Sequence, residues 1–121
     1  STLKGSIALQ EQAAKIGFDW KDPQGPLEKV FEEAEEVSEE LNVPEICKER
    51  LEEELGDLLF AVVNLMRKCE VDPEVALQRC AEKFNQRITK IIKLTSDSEI
   101  DFNTLTQKEL IELWEKVKET P

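Results

Sequence analysis

Histidine is absent from the chain, so no imidazole can act as nucleophile or general base, and any catalysis has to be carried by carboxylates and metal ions. Cysteine is scarce and odd in number at three, which argues against a disulfide framework and, with no histidine to help, against a zinc site. A reducing compartment is expected. Cys47 and Cys80 each lie four residues before a large apolar residue, Leu51 and Phe84, and read as small core residues. No apolar run approaches the length of a membrane span and no signal peptide is recognisable, so the chain is expected to be soluble and cytoplasmic. Positive charge is also in deficit: the net charge is −11 with no clustered basic tail, which argues against nucleic acid or an anionic membrane as the main partner. An anionic substrate would need a metal or a local basic patch. At 121 residues without an internal repeat, residues 1–121 read as one domain.

What the chain has in excess is acid at helical spacing. Val30, Phe31, Ala34, Val37 and Leu41 recur as an apolar stripe, and Leu51, Leu55, Leu58, Leu59, Val62 and Met66 make a second. Asn42-Val43-Pro44 lies between them, with Asn suited to the residue after a helix end and Pro to the first turn of the next. The pattern predicts a tight antiparallel helical hairpin. Within it, Glu36 and Glu54 are equidistant from position 45, and so are Glu33 and Asp57. Each of the four comes one residue before a stripe position, so all should flank the seam on one side and converge on one patch. A single Glu-Glu pair on a helix is most simply a solvated face. Four converging carboxylates are unfavourable unless protons or a cation sit among them, and a hard divalent ion with oxygen ligands, such as magnesium, suits that role.

Around the hairpin the chain supplies further helices. Residues from about Leu3 to Ile16 form a weakly amphipathic helix closed by Gly17, followed by an aromatic loop, Phe18-Asp19-Trp20. Phe18 is expected to lid the core, whereas Trp20 can also border a base pocket. Asp72-Pro73-Glu74 starts a long helix to about Leu94, with Leu77, Cys80, Phe84, Ile88 and Ile91 as its stripe. A basic row, Arg79, Lys83, Arg87 and Lys90, flanks that stripe, and for Arg79 and Lys90 salt bridges to the acidic hairpin are the simpler reading. Thr95 to Leu105 reads as a polar loop. Thr106 and Glu109 make a capping box for a last helix to about Glu119, which carries Leu110, Trp114 and Val117 on one face. Lys29 lies four residues before Glu33 and can reach a phosphate above the acidic patch; Arg50 stands in the same relation to Glu54 but also opposite Glu40, as for an ordinary salt bridge. The expected fold is all-α, an antiparallel hairpin with flanking helices in a four-helix-type bundle. With so few aromatic residues and so much charge, the hairpin should need a second copy to complete its apolar cover.

The acidic pattern Glu-Glu-x-x-Glu followed by Glu-x-x-Asp resembles the MazG family of all-α nucleoside triphosphate pyrophosphohydrolases. Gly17-Phe18-Asp19-Trp20, Lys29-Val30-Phe31-Glu32-Glu33, the run from Leu51 to Ala61, Val63-Asn64-Leu65, Glu82-Lys83-Phe84, and Trp114 with Lys118 are similar too, leaving Thr95 to Asn103 unmatched. The acidic residues alone also suit dimeric dUTPases and phosphoribosyl-ATP pyrophosphohydrolases. The resemblance implies hydrolysis of nucleoside triphosphates to monophosphate and pyrophosphate, as nucleotide-pool housekeeping, with magnesium, or manganese in its place, on Glu33, Glu36, Glu54 and Asp57. It implies Glu32 or Glu53 as the base or a positioning group, Lys83 and Arg87 on the phosphates, Trp114 and Lys118 at the nucleotide, and a homodimer or higher oligomer. Family members often carry two such domains in tandem, and this chain can be one half. Two alternatives stay open: a narrower enzyme for dUTP or phosphoribosyl-ATP, and a non-catalytic acidic module that docks a basic partner.

Overall fold

The computed structural model describes residues 2–119, and every regular element among them is helical, as expected for an all-α chain. The order is α1 (Thr2–Lys15), α2 (Gln24–Leu41), α3 (Lys48–Lys68), α4 (Pro73–Asp97), a 3-10 turn (Phe102–Thr104) and α5 (Gln107–Lys118). None of these helices is long and apolar enough to cross a membrane. The chain divides into two compact units, residues 1–74 and 75–121.

In the first unit α2 and α3 pack together along their length, and α1 lies on α3. The helix ends follow local chemistry. Gly17 takes φ of +96° after α1, so that the Gly17 amide donates to the Ala14 carbonyl and the Phe18 amide to the Ala13 carbonyl, satisfying carbonyls that a helix end leaves open. Asn42 closes α2 by donating its side-chain amide to the Ser38 carbonyl at 2.9 Å. Pro44, expected in the first turn of α3, instead lies within the connection, and α3 starts at Lys48 after an extended Cys47. The turn is therefore longer than the sequence suggested, and it leaves Cys47 outside the seam. All three cysteines are exposed, contrary to the core placement expected for Cys47 and Cys80.

The seam itself is rotated from the predicted stripe. Pro26 and Glu33 of α2 are buried with Val30 and Val37 beside them, and α3 contributes Glu54, Leu58 and Ala61. The neighbouring apolar row faces outward: Phe31 is 66% exposed and Leu59 57%. Two adjacent rows compete for one partner helix, and a turn of about 100° per residue separates them, so α2 and α3 can bury only one against each other.

The second unit holds most of α4 and all of α5. Asp72, just ahead of α4, accepts from the Glu74 amide at 2.9 Å, and Pro73 occupies the first helical position, where its missing N–H costs nothing. α4 continues three residues past its expected end, and within that extension Thr95 is buried and donates its hydroxyl to the Ile91 and Ile92 carbonyls. The expected polar loop is thus shorter and contains a 3-10 turn capped by Asp101. Of the α4 stripe, Ile91 is buried, whereas Leu77 and Phe84 are exposed. The capping box of α5 is present, with Thr106 accepting from the Glu109 amide and Glu109 from the Thr106 amide.

Glu70 and Glu99 close α3 and α4 in the left-handed region, with φ of 59° and 57°, by the same bonding pattern that Gly17 uses after α1. A side chain is strained there and glycine is not. Glu70→Gly and Glu99→Gly should each stabilise the fold by roughly 0.5–1 kcal/mol, after allowing for the looser unfolded chain. Denaturant melts that show a loss of stability for either variant would contradict that account.

Candidate functional site

Three of the four acidic residues singled out from the sequence meet at the α2–α3 seam. Carboxylate oxygens of Glu33, Glu36 and Glu54 lie within 4.8 Å of one another. Glu33 is buried, and one oxygen each of Glu33 and Glu54, both Oε2, is buried without a hydrogen-bond partner. Lys29 Nζ lies 3.1 Å from Glu33 Oε1 and 3.4 Å from Glu32 Oε1, and these acids, Glu33 above all, raise the lysine pKa. The Glu36 carboxyl is pushed up to about 7, first by its hydrogen bond with Glu54 and then by the charge of Glu33. Converging carboxylates that hold a proton near neutrality, with orphaned oxygens among them, have the donor set of a hard divalent cation.

Asp57 stands apart from that trio. It is exposed, one turn further along α3, and lines an open cavity of about 580 Å³ with Lys29, Glu32 and Glu33. Phe18, Trp20, Phe60, Ala61 and Asn64 complete the walls. Glu32 therefore borders the cavity, whereas Glu53 does not and is exposed. Arg50 is exposed as well, and no ion pair joins it to Glu40 among the described residues.

The aromatic loop, from which Trp20 was expected to border a base pocket, brings in further residues to which the sequence reading gave no role: Gln10, Asn64, Arg67 and Lys68. Phe18 is 81% exposed and so does not lid the core. Trp20 lies against Gly25, where a Cβ would come within 2.5 Å of the indole. Asp19 accepts from Arg67 at 2.7 Å and from Lys68 at 3.3 Å, tying the loop to the end of α3. The Arg67 hydrogen bond, with help from the Trp20 amide, lowers the Asp19 pKa to about 2. Arg67 Nε also donates to Asn64 Oδ1 at 3.0 Å. Gln10 of α1 is buried and donates to the Phe60 carbonyl at 3.1 Å, leaving its Oε1 without a partner. Asn64 and Arg67 continue the α3 face that carries Asp57 and Phe60, which is the signal by which they could have been found. Gln10 has no such signal, because α1 is only weakly amphipathic.

In the second unit, the Arg87 guanidinium sits 5.4 Å from the centre of the Trp114 ring, and Phe84 meets the same ring at 5.5 Å. Two of the candidate nucleotide contacts, Arg87 and Trp114, thus form a cation–π pair. Lys83 is exposed, and Lys118 lies 3.9 Å from Glu115.

The family model for the MazG nucleotide pyrophosphohydrolase domain matches residues 21–92, from just before α2 to near the end of α4. A nucleoside triphosphate pyrophosphohydrolase/pyrophosphatase MazG of Thermotoga maritima is 44% identical over 110 residues, 91% of this chain and 41% of that protein. A nucleoside triphosphate pyrophosphohydrolase of Escherichia coli K12 is 36% identical over 110 residues, 91% of this chain and 42% of that protein. The chain spans about two fifths of the length of these relatives.

The raised Glu36 pKa makes the stability of the metal-free protein depend on pH. Between the ordinary carboxylate value of 4.5 and about 7, the folded state holds a proton that the unfolded state releases. Stability therefore falls as pH rises through that window and stays lowered above it. Glu36→Gln should flatten the fall and leave the variant more stable than the wild type at pH 8 in chelator. Melts across pH 4 to 8 with an unchanged slope in the variant would reject this coupling.

Proposed function

The chain belongs to the MazG nucleotide pyrophosphohydrolase family, and from that membership we propose that it hydrolyses nucleoside triphosphates to the monophosphate and pyrophosphate. The reaction would serve nucleotide-pool housekeeping in the cytoplasm. Water is added across the link between the α- and β-phosphates, so that the bridging P–O–P bond breaks and monophosphate and pyrophosphate are released. The proton lost by the water passes to a carboxylate. Glu32, which borders the cavity beside Lys29, suits that task better than the outlying Glu53.

The observation that carries the reading is the trio of Glu33, Glu36 and Glu54, with oxygens within 4.8 Å and two of them orphaned. These three, with Asp57, would hold magnesium or manganese, and such an ion supplies neutralisation of the phosphate charge when bound. Lys29, already beside Glu33, contributes a cation to the phosphates with Arg50 as its candidate partner, and the family resemblance puts Lys83 and Arg87 forward as phosphate contacts of their own. Trp114 and Lys118 contribute nucleotide contacts. Assembly with a second copy is supported by the outward apolar rows, Phe31 and Leu59 in the first unit and Leu77 and Phe84 in the second.

Chromatography of the products distinguishes this chemistry from its neighbours. Incubation with a nucleoside triphosphate and magnesium should yield monophosphate and pyrophosphate, with the rate falling on the order of 10²-fold in Glu54→Gln. Diphosphate with orthophosphate would reject the assigned bond, and no turnover with either ion would reject the activity.

A further inference from the structure

The open cavity has two ends of different chemistry. Lys29, Glu32, Glu33 and Asp57 are at one, and Phe18, Trp20, Phe60 and Asn64 at the other. The second end runs on into a smaller cavity of about 140 Å³ lined by Leu9, Gln10 and Arg67 together with the same aromatic residues and Asn64. That volume is close to those known to accept a single aromatic ring. Asp57 and Asn64 lie on one face of α3, seven residues or about 10 Å apart along its axis. A ligand with phosphates over the acids would thus lay its base among the aromatic rings.

We propose that this aromatic end is the nucleobase subsite and that Asn64 reads the base there, selecting bases that present a carbonyl oxygen over those that present an exocyclic amino group. The inference rests on the triphosphate-hydrolysing reading of the adjoining acids. Its core is the orientation of one amide. Arg67 Nε is a donor only, so the Asn64 atom facing it at 3.0 Å has to be the oxygen. The Nδ2 end is then left as a donor, and it has no protein partner among the described residues. Arg67 cannot turn away easily, because Asp19 holds it at 2.7 Å and stays ionised down to about pH 2. Gln10 adds no second reader, since its Nε2 is committed to the Phe60 carbonyl and its Oε1 is buried away from solvent. The free Nδ2 donor of Asn64 matches the C=O of a lactam base. Adenine and cytosine present an amino group, itself a donor, in its place. Trp20, fixed against Gly25, supplies a flat wall on which either kind of ring can stack.

Matched pairs isolate the reading: inosine against adenosine triphosphate, and uridine against cytidine triphosphate, each with magnesium. The carbonyl base should win in both pairs by about tenfold in kcat/KM, the scale of one hydrogen bond. In Asn64→Asp the free end of the side chain becomes an acceptor, so the order should reverse, while Asn64→Ala should bring both ratios close to one. Should Asn64→Asp fail to fold, as judged by its circular dichroism, the Asn64→Ala ratios carry the test. Hydrolysis of all four nucleotides with ratios near one, or wild-type ratios kept in Asn64→Ala, overturns the inference and leaves the activity standing. If nothing is hydrolysed, calorimetric dissociation constants for the same four nucleotides decide: the same order of preference supports the base subsite without the reaction, and equal or undetectable binding overturns it.

Discussion

Confinement of like charge at the α2–α3 seam is the constraint on which the rest depends. Helices usually bury apolar rows against each other and turn their acids to water. Here Glu33 is buried and Glu54 partly so, while Phe31 and Leu59 face outward. The hairpin thus gives up apolar burial that lay one residue away in order to bring carboxylates together. Such an arrangement raises the energy of the metal-free fold, and the proton that Glu36 keeps to about pH 7 is its partial relief. A cation would relieve it more fully, so the energetics of the seam, as well as its donor atoms, suit it to take one up.

From that seam α3 presents a graded series on one face. Glu54 and Asp57 come first, then Phe60 and Asn64, then Arg67 and Lys68, so the face runs from acid through aromatic and amide groups to base. The basic end is not left free. Asp19 ties it to the Phe18–Trp20 loop, so the charges that close the series also position the aromatic wall of the cavity. Gly25 belongs to the same device, since any side chain there would push Trp20 off its seat.

The all-helical class and the caps were legible because they follow from local rules, whereas the start of α3 and the end of α4 were each displaced by several residues. Asp72 before Pro73 and Thr106 before Glu109 cap their helices without help from tertiary structure. The convergence of Glu33, Glu36 and Glu54 was legible for a similar reason, since a short antiparallel connection relates residues at equal distances from its centre. The rotation of the seam was not legible. Two apolar rows lie side by side on each hairpin helix, and periodicity cannot say which faces the neighbour. Cys80 was misplaced by the same ambiguity, being on an apolar row that the described chain leaves exposed, and Cys47 because the α2–α3 connection is longer than expected and holds it outside the helix. The Asp19–Arg67–Asn64 relay was hidden because Asp19 is distant in sequence from the other two and each alone reads as an ordinary surface residue.

The most direct test is to count protons released as magnesium binds. Calorimetric titrations near pH 6.5, in buffers of different ionisation enthalpy, should show net proton release, because Glu36 must lose its proton for the ion to bind. Release should vanish in Glu36→Gln, and binding itself in the combined Glu54→Gln and Asp57→Asn variant. Magnesium binding with no proton release, or with unchanged affinity in the doubly neutralised protein, would contradict the assignment of these carboxylates as its site.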